Sequence, residues 1–334
     1  MATQEWNPGQ ILELSGSYWK TCTLHAAVKL DVFTAIGKER LSAGEVARKL
    51  NTDERALAML LNALTAMNLL VRSDGKVANT PASLAFLAKD SPQYLGFMIM
   101  HHHHLVESWS QLDQAVRSGQ AVRGRVSFGD EEKRESFLMG MFNMAMTIAP
   151  ELTRTLDLTG RRRFLDVGGG PGTYAIHFCL NNPQLHGTIV DLPTTRPFAE
   201  KTIAKFGLIG RVDFMDGDYL AEDIAGSYDV AWLSQILHGE NPDDCQMIVN
   251  KTVAALEPGG LIMVHEFLLN KTLDGPLFPA LFSLNMLLGT DGGQAYSEAQ
   301  IKEMLGNAGV GEIRRLPFRG TNDSGIIMGI VKRS

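Results

Sequence analysis

The stretch Asp166-Val167-Gly168-Gly169-Gly170-Pro171-Gly172 is the strongest indication of the fold class of this chain. It closes a short apolar run and opens a helical pattern, so its glycines indicate a tight turn that a ligand can approach closely. Its spacing is G-x-G-x-G, whereas a dinucleotide fingerprint requires G-x-G-x-x-G and would need a glycine at Thr173. The turn therefore indicates a small-molecule site but disfavours nicotinamide binding.

Short apolar runs alternate with helical patterns from this turn onward. They begin near residues 164, 188, 212, 228 and 261, a spacing typical of strand–helix–strand units with a buried parallel sheet. The last run, Gly325 to Val331, follows a connection too short for a crossover helix and is expected to be antiparallel. These patterns predict an α/β fold with one antiparallel strand in a parallel sheet.

The N-terminal part is predicted to be helical from residue 10 to 120. Ser42 and Glu45 form a capping-box pattern, a second helix runs from Glu54 to Met67, and Asp74-Gly75 marks a hairpin. Helix, turn, helix and hairpin together indicate a winged helix. Its charges are nearly balanced and its second helix offers only Arg55 as a long basic side chain, so a packing or dimer role is favoured over DNA binding.

Composition narrows the class of protein. The 334 residues are 45% hydrophobic, with 31 Lys and Arg against 37 Asp and Glu, which excludes a disordered chain and disfavours nucleic acid as a partner. The cysteines at 22, 179 and 245 are expected to be buried thiols. No apolar segment is long enough to cross a membrane and no signal peptide is apparent, so we expect a soluble, cytoplasmic protein. The length of the chain favours two domains, which we expect at residues 1–110 and 111–334.

A run of histidines and a polar tract lie between the winged helix and the glycine turn. Residues 101–104 are four consecutive histidines, but neighbouring residues of a helix point about 100° apart, so we expect no metal site there and place this helix at the mouth of a cleft. The polar tract from Gly119 to Glu132 is predicted to be a surface loop.

Two acids are expected at the carboxyl ends of successive strands, and therefore at the same edge of the predicted sheet. Asp191 ends the second strand, where a carboxylate can accept both hydroxyls of a ribose. Asp218 is expected at the end of the third strand, facing an adenine edge, with Tyr219 beside it as a stacking face. Together with the glycine turn, they predict a nucleoside pocket.

The sequence resembles the S-adenosylmethionine-dependent O-methyltransferases of the plant caffeate, bacterial polyketide and acetylserotonin type. The resemblance runs from about residue 10 to the end, and its motifs are the glycine turn, Gly217–Tyr219, Tyr228–His238, Leu256–Gly260 and Gly292-Gly293. It implies a Rossmann-like methyltransferase sheet and a winged-helix dimerisation domain, hence a homodimer. It also implies S-adenosylmethionine as methyl donor, with S-adenosylhomocysteine as product.

The resemblance also implies a catalytic pair. The family's histidine after the fourth strand corresponds to His238, which would remove a proton from the acceptor hydroxyl, and Glu266 matches an acid that orients it. Ala295 stands where the family has a second acid, and Gly239 replaces the usual Asp. Either Glu240 or Glu298 could substitute, and the sequence does not choose between them.

The resemblance assigns the remaining site residues. The donor side comprises Asp166, Gly168, Gly170, Gly172, Asp191, Leu192, Asp218, Tyr219 and Ser234, the last standing where plant enzymes often have Lys. The acceptor side comprises Met141 and Met144 on a methionine-rich helix, with Phe282, Asn285 and Met286 on a helix inserted after the fifth strand. The expected activity is methylation of a hydroxyl on a small aromatic or polyketide-like acceptor. The alternatives are a donor-binding homologue with another acceptor atom or a non-methylating reaction, and a DNA-binding regulator.

Overall fold

The computed structural model describes residues 5–125 and 131–332. Contacts between Cα atoms divide the chain into two compact units, Met1–Leu105 and Val106–Ser334. Within the described residues, none of the helices combines the length and apolarity needed to cross a membrane.

The first unit consists of helices and one hairpin. Its helices are α1 (Pro8–Gly16), α2 (Tyr18–Lys29), α3 (Val32–Ile36), α4 (Ala43–Leu50), α5 (Glu54–Ala66), α6 (Pro81–Phe86) and α7 (Gly96–Trp109), which continues past Leu105, and its strands are β1 (Leu70–Ser73) and β2 (Lys76–Asn79). Ser42 and Glu45 form the expected capping box at the start of α4. Asp74 and Gly75 turn the hairpin with φ values of 50° and 75°. The order α4, α5, β1 and β2 is the predicted helix, turn, helix and hairpin, so the winged-helix pattern is confirmed.

One cysteine prediction is wrong. Cys179 and Cys245 are buried as expected, but Cys22 is exposed. The physical reason is helical spacing, because Tyr18 and Trp19 lie four and three residues earlier in α2 and are also exposed, so these three side chains share the outer face of the helix.

The second unit is built on one large sheet. Its helices are α8 (Leu112–Ser118), α9 (Glu131–Met146), α10 (Ala149–Thr155), α11 (Thr173–Asn181), α12 (Arg196–Lys205), α13 (Pro242–Ala254), α14 (Leu277–Gly289) and α15 (Glu298–Asn307). Its strands are β3 (Arg163–Val167), β4 (His186–Asp191), β5 (Val212–Asp216), β6 (Tyr228–Ser234), β7 (Leu256–Leu269), β8 (Tyr296–Ser297), β9 (Val310–Arg315) and β10 (Ser324–Val331).

The strand order places a crevice at the centre of the sheet. The order is β5-β4-β3-β6-β7-β10-β9, with β8 beside β7, and β10 runs antiparallel to both of its neighbours, as predicted. The chain moves to one side of β3 for β4 and β5, then to the other side for β6. Ligands of open α/β sheets bind at such a reversal, outside the carboxyl ends of the strands. Two apolar clusters that include Leu233 on one side and Trp232 on the other bury this sheet.

Two local expectations need correction. Strand β5, the third strand of the predicted sheet, ends at Asp216, so Asp218 lies in the loop after β5 rather than at its end. The tract predicted as a surface loop, Gly119–Glu132, has no helix or strand in residues 119–125, but α9 already begins at Glu131, and residues 126–130 lie outside the described part of the chain. Arg123 and Arg125 of this loop are only partly exposed. Their guanidinium groups are hydrogen-bonded to residues of α14 and of the loop after β6.

Candidate active site

His238 lies at the carboxyl end of β6, in a short 3-10 helix. Its Nδ1 atom is 2.8 Å from Oε2 of Glu266 on the neighbouring strand β7. The other oxygen of that carboxylate accepts hydrogen bonds from the backbone N–H of Leu237 at 2.9 Å and of His238 at 3.4 Å. The His238 side chain is 12% exposed and the Glu266 side chain 2%, so the imidazole is held by a buried carboxylate.

This pairing determines which ring nitrogen of His238 is accessible. A carboxylate on Nδ1 favours the tautomer with its proton there, because Glu266 accepts that N–H. No described residue forms a hydrogen bond with Nε2, which therefore remains the ring nitrogen that a ligand can reach.

Aromatic side chains enclose the imidazole of His238. Phe282 on α14 meets it edge-on, with ring centroids 4.7 Å apart, and Phe267 stacks on it at 5.9 Å. Phe267 and Phe282 also contact each other at 4.8 Å. The structure thus places the predicted residue Phe282 beside His238, together with Phe267, which directly follows Glu266 but was absent from the predicted site.

The glycine turn, Gly168–Gly172, lies at the carboxyl end of β3. Gly168, Gly170 and Gly172 have φ values of 62°, 55° and 80°, a region that favours glycine. A Cβ atom on Gly168 would lie 2.6 Å from the Ile236 side chain, whereas a Cβ atom on Gly170 would meet nothing within 4 Å. Gly170 therefore faces open space, in which a ligand can approach the backbone.

Asp191 closes the glycine turn from the next strand. Its Oδ2 accepts the backbone N–H of Gly170 at 2.8 Å, and its Oδ1 accepts the N–H of Leu192 and the hydroxyl of Thr195. Burial raises the pKa of Asp191, and these hydrogen bonds oppose that shift. The predicted donor residues Gly170, Asp191 and Leu192 are therefore neighbours.

Asp166 lies beneath the turn rather than at its surface. Its carboxyl is 1% exposed and accepts the backbone N–H of Ala175 in the first turn of α11 at 3.2 Å. Burial raises the pKa of Asp166 to about 8, and the charge of Asp191 adds to that effect. Ser234 at the end of β6 likewise faces a buried partner, since its hydroxyl lies 3.0 Å from Nδ1 of His265.

Tyr219 borders both the glycine turn and the loop of His238. Its ring carbon Cε1 would be 3.4 Å from a Cβ atom on Gly168, and its hydroxyl donates to Oε1 of Glu240 at 3.3 Å. Burial raises the pKa of Tyr219, as does the charge of Glu240, so the hydroxyl stays a hydrogen-bond donor. Asp218 accepts the N–H of Leu220 and thereby holds the start of this loop.

Neither candidate for the second acid hydrogen-bonds to His238 in the described structure. Glu240 is 1% exposed and binds the guanidinium of Arg125, with Nη1–Oε1 and Nη2–Oε2 distances of 2.6 and 2.5 Å. Glu298 pairs with Lys302 and Arg315 at the start of α15. Glu266 is thus the carboxylate that contacts His238. Arg125 is a site residue that sequence reasoning missed, because it lies 115 positions before its partner.

The other predicted acceptor residues are divided between two helices. Asn285 on α14 accepts from Arg123 through its backbone and side-chain oxygens, at 3.3 and 3.4 Å, and Met286 is buried. Met141 and Met144 lie on α9, which packs on α10 and α11. In residues 5–125 and 131–332, no group of three or more His, Cys, Asp or Glu side chains is placed to hold a metal ion.

Comparison with known proteins identifies two domains. A model of the O-methyltransferase domain matches residues 109–311, and a model of the O-methyltransferase dimerisation domain matches residues 12–89. The chain is 33% identical to 3-hydroxy-5-methyl-1-naphthoate 3-O-methyltransferase of Streptomyces sahachiroi, over 97% of this chain and 95% of that protein. It is 30% identical to the N,N-dimethyltransferase OxyT of Streptomyces rimosus, over 77% and 78%.

Structural comparison gives the same result. The structure of PigF, a protein of Serratia sp., with S-adenosylhomocysteine matches with a TM-score of 0.89 at 28% identity, over 97% of this chain and all of that one. The predicted fold class, the predicted enzyme class and the cofactor predicted for the family are confirmed by these matches. The chain therefore belongs to the O-methyltransferase family.

Proposed function

We propose that this chain transfers a methyl group from S-adenosylmethionine to a hydroxyl of a small aromatic or polyketide-like acceptor, with His238 as general base. The observation that carries the proposal is the 2.8 Å contact between His238 Nδ1 and the buried carboxylate of Glu266, which leaves Nε2 of an imidazole packed against Phe282 for the acceptor.

The chemistry required of His238 is removal of one proton. A phenol has an ordinary pKa near ~10 and an imidazole near ~6.5, so a neutral histidine can take the proton as the oxygen attacks. When bound, S-adenosylmethionine supplies a methyl group made electrophilic by its sulfonium sulfur. The oxygen–carbon bond forms as the carbon–sulfur bond breaks, and the hydroxyl proton ends on Nε2. Glu266 accepts a hydrogen bond from Nδ1–H throughout, stays ionised, and stabilises the imidazolium that results.

The described residues fit the donor. Gly170 offers backbone next to open space, and the Asp191 carboxylate lies 2.8 Å from its N–H, close enough for one ligand to contact both. We assign to the donor side Gly168, Gly170, Gly172, Asp191, Leu192, Asp218, Tyr219 and Ser234, with Asp166 supporting the turn from below.

The acceptor is proposed to lie against α14. Phe267 and Phe282 present aromatic faces beside His238, which suits a flat and largely apolar ring. Met141, Met144, Asn285 and Met286 remain proposed acceptor contacts. A relative that methylates a hydroxynaphthoate supports this class of acceptor for the present chain.

A second candidate is methylation of a different acceptor atom. The relative OxyT is an N,N-dimethyltransferase, and only Glu266 contacts His238 as an acid within the described residues. An amine acceptor needs less help from a base than a phenol, so weaker support of His238 would suit it.

Matched acceptors separate the two candidates. Purified protein is incubated with labelled S-adenosylmethionine and either 3-hydroxy-1-naphthoate or 3-amino-1-naphthoate, and the methylated position is assigned by mass spectrometry and NMR. The proposal predicts an aryl methyl ether from the hydroxyl compound. Methylation confined to the amine or to a ring carbon would contradict it and favour the second candidate.

The proposal extends to the assembly and the location of the chain. We propose that the chain acts as a homodimer through residues 1–110, that residues 111–334 carry the chemistry, and that it works in the cytoplasm. The match to a dimerisation domain at residues 12–89 supports the first point.

A further inference from the structure

The loop that carries His238, residues Leu237–Glu240, is held by an ion pair between the partly exposed Arg125 and the buried Glu240, which the proposed chemistry does not use. We propose that Arg125 is a positioning residue for methyl transfer, which fixes this histidine loop through Glu240. The inference rests on the proposed role of His238.

The geometry of the pair is that of a fork. Arg125 presents Nη1 and Nη2 to the two carboxylate oxygens of Glu240, and Nη2 also donates to the backbone carbonyl of Gly239 at 3.0 Å. A planar guanidinium that makes three such bonds fixes both the side chain and the backbone of the loop. Gly239 directly follows His238, so these bonds restrain the peptide that carries the imidazole.

Glu240 also links the histidine loop to the donor side. Its carboxylate accepts the hydroxyl of Tyr219, whose ring borders Gly168 in the glycine turn. Its backbone carbonyl accepts the buried hydroxyl of Tyr296 at 2.6 Å. A change in the position of Glu240 would therefore alter the register between His238 and the glycine turn.

The segment that carries Arg125 is anchored on the acceptor side as well. The backbone N–H groups of Val122 and Arg123 both donate to the carbonyl of Leu288 at 3.1 Å, near the end of α14. The same helix carries Phe282, which meets His238. Val122–Arg125 thus ties the helix against which the acceptor would lie to the loop that carries the base.

A merely stabilising role makes a different prediction from a positioning role. Burying a charged pair costs desolvation, and replacing both partners by apolar side chains of similar volume is often neutral for stability. The directional bonds to Gly239 and Tyr219 are lost in such a replacement. The double variant should therefore be as stable as wild type but have a low turnover.

The experiment compares Arg125→Met, Arg125→Lys and Arg125→Met/Glu240→Leu with wild type. Arg154→Met is the matched control, because Arg154 pairs with Glu151 on an exposed helix surface of the same unit. Each protein is measured for Tm, for calorimetric affinity for S-adenosylhomocysteine, for kcat with 3-hydroxy-1-naphthoate, and for amide hydrogen exchange.

The positioning role predicts that Arg125→Met lowers kcat about 10²-fold, because a displacement of about 1 Å costs that much. Affinity for S-adenosylhomocysteine should stay the same, and exchange should accelerate over residues 236–242 but not over 163–176. Arg125→Lys, which keeps the charge but not the fork, should have an intermediate kcat. The double variant should regain the wild-type Tm without regaining kcat.

Three results would overturn the inference. These are wild-type kcat and exchange in Arg125→Met, recovery of kcat together with Tm in the double variant, or a loss of donor affinity as large as the loss of kcat. An active Arg125→Met enzyme beside an inactive His238→Ala enzyme refutes the role of Arg125 alone. An inactive wild type refutes the proposed function instead, and the hydrogen-exchange comparison still tests how the loop is held.

Discussion

At the level of single residues, the proposed role of His238 depends on how one carboxylate is held. Glu266 accepts two backbone N–H groups with one oxygen and the imidazole with the other, so its orientation is fixed before any ligand binds. Orientation and charge are separable, because glutamine has the same shape without the charge.

Glu266→Gln is expected to lower kcat by about 10²–10⁴-fold. The amide can present its NH2 group to Nδ1, which favours the tautomer with the proton on Nε2, and it cannot stabilise the imidazolium. Steady-state kinetics with 3-hydroxy-1-naphthoate measure the effect, and titration with S-adenosylhomocysteine serves as the control. Wild-type turnover in this variant would show that Glu266 does not act through His238.

Asp166 gives a prediction about pH and stability. Burial raises the pKa of its carboxyl from 3.8 to about 8, so between these values the folded state keeps a proton that the unfolded state has lost. Its contribution to stability is complete below about pH 4 and declines as the pH rises toward 8. Asp166→Asn cannot ionise, so its Tm relative to wild type should increase from about pH 5 to about pH 8. A Tm difference independent of pH would contradict this assignment.

Residue contacts across long sequence distances were the least predictable part of the site. His238 was found because it follows the fourth predicted strand in a motif of the family, and Glu266 because it was expected to end the fifth. Arg125 and Glu240 were not paired, because the loop of Arg125 carries no periodic pattern and their contact depends on how it packs on the sheet. The exposure of Cys22 was missed for a related reason, since an apolar run in a helix does not say which face is covered.

At the scale of elements, the glycine turn is the part most exposed to a direct test. Gly170 has a positive φ and open space around its side-chain position, and Gly207 after α12 shares both properties far along the chain from the turn. Alanine at either position introduces similar backbone strain. Only alanine at Gly170 would occupy the space that the donor is proposed to use.

Gly170→Ala should therefore weaken binding of S-adenosylhomocysteine by about tenfold or more, as expected for a methyl group that displaces a close backbone contact. Gly207→Ala should bind like wild type, with a similar change in Tm. Isothermal titration of both variants decides the matter. Equal affinities would place the donor away from Gly170.

Most elements could be predicted because their signals are local. Each of three local features depends on residues within a few positions of one another: the capping box of α4, the Asp74-Gly75 hairpin and the glycine turn after β3. Strand ends were less certain, and β7 extends from Leu256 to Leu269, well beyond the predicted apolar run. Because β7 is buried on both faces of the sheet, its residues do not alternate between apolar and polar, and the sequence therefore does not show where the strand ends.

At the scale of the whole molecule, the match to a dimerisation domain makes the assembly testable. Leu12 and Trp19, on α1 and α2, are 72% and 68% exposed in the single chain, and Ile11, Leu14 and Tyr18 on the same two helices are exposed as well. Light scattering should give a mass near 73 kDa, twice the 36.6 kDa of one chain. Trp19→Glu should shift the mass toward that of one chain if this face lies in the interface. A monomeric wild type would contradict the proposed homodimer.

The proposed role of His238 in removing the acceptor proton is tested by the kcat of His238→Ala, measured beside its affinity for S-adenosylhomocysteine. A general base at this position predicts a kcat at least ~10²-fold lower than wild type with unchanged affinity. A wild-type kcat, or a loss of affinity equal to the loss of kcat, would contradict it.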